Sequence, residues 1–211
     1  MTSIKGSLDL LLGGYAGPIP DPVRELLEIG QMAVDRLIRL INDILDISKI
    51  EAGKIELNLE LHDPLELLRR AVNSLRTYAE TESVTLEVLP ASAVSPVMAD
   101  RDRMEQVLTN LLSNAIKYAP PGTAVQASVQ DRDSKVRFSV RDSGPGIPAD
   151  KLDSVFDKFQ QLEGSKKGTG LGLAICEALI REHGGEIWVT SAPGEGACFE
   201  FELPAAKKPA A

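Results

Sequence analysis

The 211 residues are 43% hydrophobic and 26% charged, enough apolar side chain for a packed core and too much for wholesale disorder, at a length that fits one ordinary domain plus a smaller helical piece. A formal net charge of -8 excludes a broad basic face, and with it a nucleic-acid partner, because phosphate backbones are met by clustered Lys and Arg. No apolar run approaches the ~20 residues that cross a bilayer and no signal-peptide pattern follows Met1, so a soluble cytoplasmic piece is expected, with any sensor region or membrane anchor lying upstream of Met1.

Thr2 to Leu12 reads as the tail of a helix, with Ile4, Leu8, Leu11 and Leu12 on one side and Gly13-Gly14 as its stop. After a Gly- and Pro-rich turn, Asp21 is expected as an N-cap with Pro22 in the first helical position. Val23 to about Ile50 then forms a long amphipathic helix. Leu26, Ala33, Leu40 and Ile47 keep a seven-residue step, and Leu27, Val34, Ile38, Ile41 and Leu45 widen the stripe beyond a two-stranded seam. One hairpin cannot cover such a stripe; two chains giving two helices each, in a four-helix bundle, can.

Glu51 to Lys54 breaks the helix, which places a domain boundary between residues 53 and 54. Ile55, Leu57 and Leu59 alternate as a first strand, and Asp63-Pro64 caps a helix to about Glu80 with Leu67, Leu68, Ala71, Val72 and Leu75 on its core face. Val84 to Val88 is a strand, and Val97 to Asp100 leads into a helix over Met104 to Tyr118. There Val107, Leu108, Leu111, Leu112, Ala115 and Ile116 make a buried face, while Gln106, Asn110, Asn114 and Lys117 stack in one polar row. Asparagine is poor helix material. Two such residues one turn apart fit either a solvated face or a site where a hard amide oxygen meets Mg²⁺ and a lysine meets phosphate.

Ala124 to Gln130 and Lys135 to Arg141 alternate as a hairpin. Asp142 sits at the mouth of the second strand, in RDSGPGIP, as a turn-stabilising carboxylate or a ligand acceptor. Lys151 to Phe159 is a short helix or lid element. GTGLGLAI (168–175) is a glycine turn opening a helix from Gly170 to His183, and the first N–H groups of such a helix can hold phosphate. No Gly-Lys-Ser/Thr follows, and the spacing is not that of a dinucleotide fingerprint. Lys166 and Lys167 either reach phosphate or are simply solvated. Gly185 to Thr190 and Ala197 to Leu203 close an antiparallel pair, and the last residues, 206–211 or from Ala205, are a frayed tail. Cys176 and Cys198, far apart and outside CxxC spacing, read as free thiols. The fold class is α+β: a helical hairpin (1–53), then an α/β sandwich (54–205) with helices over one face of a mixed sheet.

In this order, four stretches resemble the catalytic and ATP-binding domain of sensor histidine kinases. Asn110 and Asn114 match the asparagine box, Asp142, Gly144 and Gly146 the first glycine box, Phe156 and Phe159 the phenylalanine box, and Gly168, Gly170 and Gly172 the second glycine box. The resemblance implies the Bergerat ATP-binding sandwich of the gyrase, Hsp90 and MutL superfamily, with ATP and Mg²⁺ as cofactors. It implies Asn110, Asn114 and Lys117 as catalytic residues, Asn114 as the metal ligand, Asp142 as acceptor of the adenine amine, and Gly144, Gly146, Ile147 and Tyr118 around the nucleotide. Lys166, Lys167, Gly168, Thr169, Gly170, Leu171, Gly172 and Leu173 are implied at the phosphates. Phe156 and Phe159 are read as core anchors hinging the lid, and Gln161 stands where many relatives have an arginine.

The resemblance further implies homodimerisation through the N-terminal helices, transfer of the γ-phosphoryl to a histidine, and relay to a response regulator receiver domain. One departure is plain. The phosphoacceptor box of the family reads much like HELRTPLTSI, and this chain opens at Thr2-Ser3-Ile4, so the acceptor histidine is absent. His62 and His183 are both expected to be structural, the latter favoured by the dipole at a helix end. In gyrase-type relatives the position of Asn110 is a glutamate that activates water; an amide cannot take that proton, so hydrolysis is expected to be slow. A phosphotransferase and a nucleotide-gated dimerising module both fit these residues; a hydrolytic ATPase fits them poorly.

Overall fold

The computed structural model describes residues 2–15, 17–91, 94–160 and 169–206. Two compact units divide the chain, Met1–Gly53 and Lys54–Ala211.

The first unit is a helical hairpin of α1 (Thr2–Leu12) and α2 (Asp21–Glu51). Its helices run antiparallel. Lys5 pairs with Asp35, the Gln31 amide donates to Asp9 at 2.6 Å, and Arg24 reaches the Leu12 carbonyl at 3.4 Å. Pro20, not Asp21, occupies the N-cap, without a side-chain capping bond. Its carbonyl already accepts from both Val23 and Arg24, which starts the helical ladder one residue earlier than expected. The helix ends where Ala52 caps it and Gly53 takes φ of 59°, a left-handed turn that glycine adopts at no steric cost. No residue of α2 is buried.

The second unit is built on a five-stranded mixed sheet in the order β2 (Thr85–Val88), β4 (Ala124–Arg132), β5 (Lys135–Arg141), β7 (Ala197–Pro204), β6 (Glu186–Ser191). Only β2 and β4 are parallel. Period-two alternation divides the sheet faces. Val136, Phe138 and Val140 of β5 and Phe199, Phe201 and Leu203 of β7 are buried, with the Phe138 and Phe201 rings stacked at 4.6 Å. The alternate positions carry an outer polar network, in which Arg137 bonds Glu202 at 2.7 Å and lies over the Trp188 ring at 4.9 Å.

Against the apolar face pack α3 (Pro64–Ser74), α5 (Arg101–Tyr118) and α6 (Gly172–Glu182). Met104, Leu108, Leu112 and Ile175 are wholly buried. A small antiparallel pair, β1 (Glu60–His62) with β3 (Val97–Ala99), leads into α5.

The structure corrects further expectations. Residues 55–59 are not a strand, because the Asn58 N–H goes to the Asp100 carboxylate at 2.9 Å instead of to a ladder partner. The helix expected to run to Glu80 breaks at Leu75 (φ -107°, ψ 3°), whose N–H turns back to Val72, and resumes as α4 (Arg76–Thr81). Residues 149–154 form a 3₁₀ turn, and α6 starts at Gly172, not at Gly170. Ala205 and Ala206 do not fray: Ala205 bridges Val97 and the Ala206 N–H bonds the Pro96 carbonyl at 2.7 Å. Residues 207–211 lie outside the described residues.

Candidate functional site

Helix α5 owes its register to Asp100. Its Oδ1 accepts from the N–H groups of Asp102 (3.0 Å) and Arg103 (3.1 Å), filling the N-cap, while Oδ2 holds Asn58. These donors hold the carboxyl below the usual range in spite of its burial, which alone would raise it. The apolar face then goes into the core, which leaves Gln106, Asn110, Asn114 and Lys117 on the half-buried opposite side.

These four polar residues differ in what they touch. The Gln106 carbonyl oxygen accepts from Arg103 at 2.9 Å. The Asn110 amide lies over the start of α6: its Nδ2 points to the Gly172 carbonyl at 3.5 Å, and a Cβ at Gly172 would stand 3.6 Å from it. No hydrogen bond from a described residue reaches the Asn114 amide, which is half-buried and not a sealed orphan. A mid-helix asparagine of that kind keeps its oxygen available. The Lys117 ammonium rests on Tyr118, 3.1 Å from the hydroxyl and 4.6 Å from the ring centre.

At the far end of α5 the Tyr118 carbonyl backs the turn after β5. A Cβ at Gly144 would come within 2.8 Å of that carbonyl and of Asp142 Oδ1, so only glycine fits. Asp142 is 6% exposed. Its Oδ1 accepts from Gly144 at 2.7 Å and from Ala197 at 3.3 Å. Burial raises this carboxyl above the ordinary aspartate value, partly offset by those two N–H donors. Oδ2 has no donor from the described residues and is not sealed in. Ile147 is buried, and its N–H donates to the Ser191 hydroxyl at 2.9 Å.

The second glycine turn meets the row at its other end. Gly170 (φ 71°) packs so tightly on the Phe159 backbone that a Cβ would be 2.7 Å from it, and the Phe159 N–H bonds the Gly170 carbonyl at 2.8 Å. Thr169 Oγ1 accepts from Leu171 at 3.2 Å, and no side chain caps α6. The first N–H groups of α6 are thus left without a capping side chain next to Asn110. Leu171 is buried and Leu173 half-buried. Asn110 and Tyr118 are eight residues apart, about 12 Å of helix rise. The polar row therefore runs from the α6 turn to the Asp142 turn, with Asn114 midway.

Phe156 is half-buried, edge-on to Phe199 at 6.3 Å, but Phe159 is 69% exposed in a left-handed conformation (φ 64°) and is no core anchor. Gln161, Lys166, Lys167 and Gly168 lie outside the described residues. His183 is structural as expected, but not through a charge at the helix end. Its Nδ1 meets the Leu179 carbonyl at 2.7 Å and its Nε2 accepts from the Asp100 N–H at 3.0 Å, which requires the neutral ring; burial lowers its pKa. Cys176 and Cys198 are not joined in a disulfide.

Sequence reasoning missed the β6–β7 turn. It read Pro193 to Gly196 as a connection only, whereas Ser191, Gly194 and Ala197 all bond the Asp142 turn. The available signal was a pair of glycines, Gly194 and Gly196, in that connection.

The family described as "Histidine kinase-, DNA gyrase B-, and HSP90-like ATPase" matches residues 99–207, and the "His Kinase A (phospho-acceptor) domain" matches residues 1–53. The circadian input-output histidine kinase CikA of Synechococcus elongatus is 37% identical over 97% of this chain and 28% of its own length. Histidine protein kinase DivJ of Caulobacter vibrioides is 35% identical over 97% of this chain and 35% of its own. The chain thus spans about a third of the curated relatives it matches. Among solved structures, full-length ShkA in complex with AMPPNP gives a TM-score of 0.82 at 31% identity, covering 99% of this chain and 44% of that one. The catalytic domain of histidine kinase ThkA gives 0.63 at 32% identity, covering 71% of this chain and 97% of that one.

Proposed function

Because the chain belongs to the histidine kinase-, DNA gyrase B- and HSP90-like ATPase family, in its sensor histidine kinase branch, we propose that its second unit binds ATP with Mg²⁺ and donates the γ-phosphoryl to a histidine. The observation that carries this reading is the α5 polar row, whose two ends abut the two glycine turns and whose middle amide receives no hydrogen bond from the described residues. An extended nucleoside triphosphate can lie along that row, base at Asp142 and phosphates at the start of α6.

Asp142 Oδ2 accepts the exocyclic amine of adenine, which guanine cannot offer at that place. The first N–H groups of α6 face the phosphates, with Lys117 as counter-charge. Asn114 would supply a hard oxygen to the metal. No group of three His, Cys, Asp or Glu that could hold a cation exists among the described residues; Asn114 and the phosphates together would hold the ion. Mg²⁺ bound there would neutralise the developing charge on the phosphate oxygens.

Positioning and electrostatics provide most of the catalysis in such a transfer. An imidazole nitrogen attacks the γ-phosphorus, the bond to the β,γ-bridging oxygen breaks, ADP leaves with the electron pair, and the imidazole N–H proton passes to solvent. Asn110, as an amide, cannot take a proton from water, which supports transfer over hydrolysis. Residues 1–53 contain no histidine, so the acceptor is not among them. ThkA has been solved in complex with the response regulator protein TrrA; relay to a receiver-domain aspartate is the corresponding role here. The exposed stripe of α2 pairs two copies in a four-helix bundle. Among the described residues no helix is long and apolar enough to cross a membrane, and cysteines held outside any disulfide suit the cytoplasm.

The test supplies γ-labelled ATP, Mg²⁺ and a bundle helix carrying the histidine. Acid-labile label on the helix is expected, and Asn114→Ala should reduce it about a hundredfold or more. Nucleotide binding without transfer would leave a nucleotide-gated dimerising module, and steady phosphate release would mark a hydrolase.

A further inference from the structure

The carboxylate that reads the base is not held by its own strand alone. The turn Gly144 to Ile147 has no secondary structure, yet it is gripped along its length by the turn that joins β6 to β7. Asp142 N–H bonds the Ala197 carbonyl at 2.9 Å, and Ala197 N–H returns to Asp142 Oδ1 at 3.3 Å. Gly194 N–H bonds the Pro145 carbonyl at 2.7 Å. A Cβ at Gly196 would fall 2.1 Å from the Asp142 carbonyl oxygen, and one at Gly146 would fall 2.0 Å from that of Ala192, so both faces of the contact are backbone against backbone.

At the centre of this contact stands one side chain. The Ser191 hydroxyl accepts from the Ile147 N–H at 2.9 Å and donates to the Gly196 carbonyl at 2.5 Å. One hydroxyl thus uses its proton on the turn behind it and a lone pair on the turn in front, tying the end of the base turn to the glycine against which Asp142 is seated.

We propose that Ser191 is a positioning residue for base selection: by clamping Ile147 to Gly196 it fixes the turn that aims Asp142 at the exocyclic amine of adenine. This rests on the reading of Asp142 as the base acceptor. Without the hydroxyl, the Ile147 N–H and the Gly196 carbonyl both lose their partner, the turn swings away, and the loss falls on the base end of the site. The phosphate end, built from α5 and α6, keeps its contacts.

The experiment measures calorimetric affinities for ATP and for GTP, each with Mg²⁺, in wild type, Ser191→Ala, Ser191→Thr and Asp142→Asn. Ser191→Ala is expected to weaken ATP by roughly tenfold while changing GTP little, so that the ATP-over-GTP preference shrinks by about the same factor. Ser191→Thr, which keeps the hydroxyl, should restore it. A preference unchanged in Ser191→Ala but lost in Asp142→Asn overturns the role of Ser191 alone. A preference that survives Asp142→Asn overturns the base-acceptor reading and this proposal with it. An equal loss for both nucleotides in Ser191→Ala also overturns it, since that is general loosening. If Ser191→Ala does not fold, hydrogen exchange on the wild type decides: the Ile147 amide should be protected well beyond that of exposed Ser143, and a freely exchanging Ile147 overturns the clamp.

Discussion

Leu26 of α2 and Leu108 of α5 sit on amphipathic helices of similar pattern, yet the first is 69% exposed and the second is fully buried. The difference lies in what the rest of each unit provides. In residues 54–206 a sheet and two further helices cover the apolar face of α5. In residues 2–51 the only other element is the short helix α1, and α2 has no buried residue at all. An apolar stripe is therefore a demand for a partner, and whether the chain itself meets that demand is set by topology.

The largest effect should come from cutting the chain at Gly53. Residues 54–211 should unfold cooperatively with a midpoint independent of protein concentration, while residues 1–53 alone should lose helicity on dilution, as expected when folding and association are linked. A monomeric 1–53 fragment that stays helical when diluted would remove the case for a bundle of two copies. Next in size, Leu108→Ala should cost about 2–5 kcal/mol of unfolding free energy through the cavity it leaves. Leu26→Ala should leave the unfolding of the second unit unchanged and weaken dimerisation, read by sedimentation. Equal effects of the two substitutions on the denaturation curve would erase the contrast between the units.

The same contrast explains what was legible in the sequence. Repeating patterns were: the seven-residue step of α2, the buried face of α5 and the alternation of β4, β5 and β7 all report which residues face apolar surroundings, and the elements formed there. Local decisions taken by single distant bonds were not. Nothing between Ile55 and Leu59 says that the Asn58 N–H will be taken by the Asp100 side chain, and nothing in the sequence near His183 says that its ring will accept from the Asp100 backbone 83 residues earlier. In the site, the glycines and polar residues of α5 were visible as types, and their convergence on Gly172 and Gly144 required the fold. The clamp at Ser191 was invisible, because a serine at a strand end is ordinary.

Asp142 gives a prediction of intermediate size, since it belongs to the stable unit yet weakens it. Its carboxyl is raised by burial, so holding it ionised at neutral pH disfavours the fold. In Asp142→Asn the amide oxygen can still accept from Gly144 and Ala197, and no charge is buried. The variant should be at least as stable as wild type in urea, while ATP affinity falls at least about tenfold because an amide N–H then faces the adenine amine. A variant both less stable and unchanged in affinity would place Asp142 among purely structural turn residues.

The smallest effect concerns His183, which joins the end of α6 to the start of α5 in its neutral form. Burial depresses its pKa, against the opposing pull of the Leu179 carbonyl, Asp100 and Glu182. In the unfolded chain the ring titrates near its free value of about 6.5. As pH falls below that value the unfolded chain binds a proton that the folded chain refuses, so folding stability is complete above it and declines beneath it, until the folded pKa is reached. The decline is at most about 1.4 kcal/mol per pH unit. Asp100 does not contribute in this window, because its depressed pKa keeps its share intact until the pH drops below about 3.8. Asp142 acts in the opposite sense, since a raised carboxyl favours the fold more as the pH falls. Urea midpoints of the second unit at pH 7.5 and 5.5 should therefore be compared in Asp142→Asn and in Asp142→Asn with His183→Gln. The first should lose stability at the lower pH, and the second should lose less, whatever its absolute value. An equal loss in both would mean that the ring is already protonated in the fold and that the Asp100 N–H does not point at a lone pair.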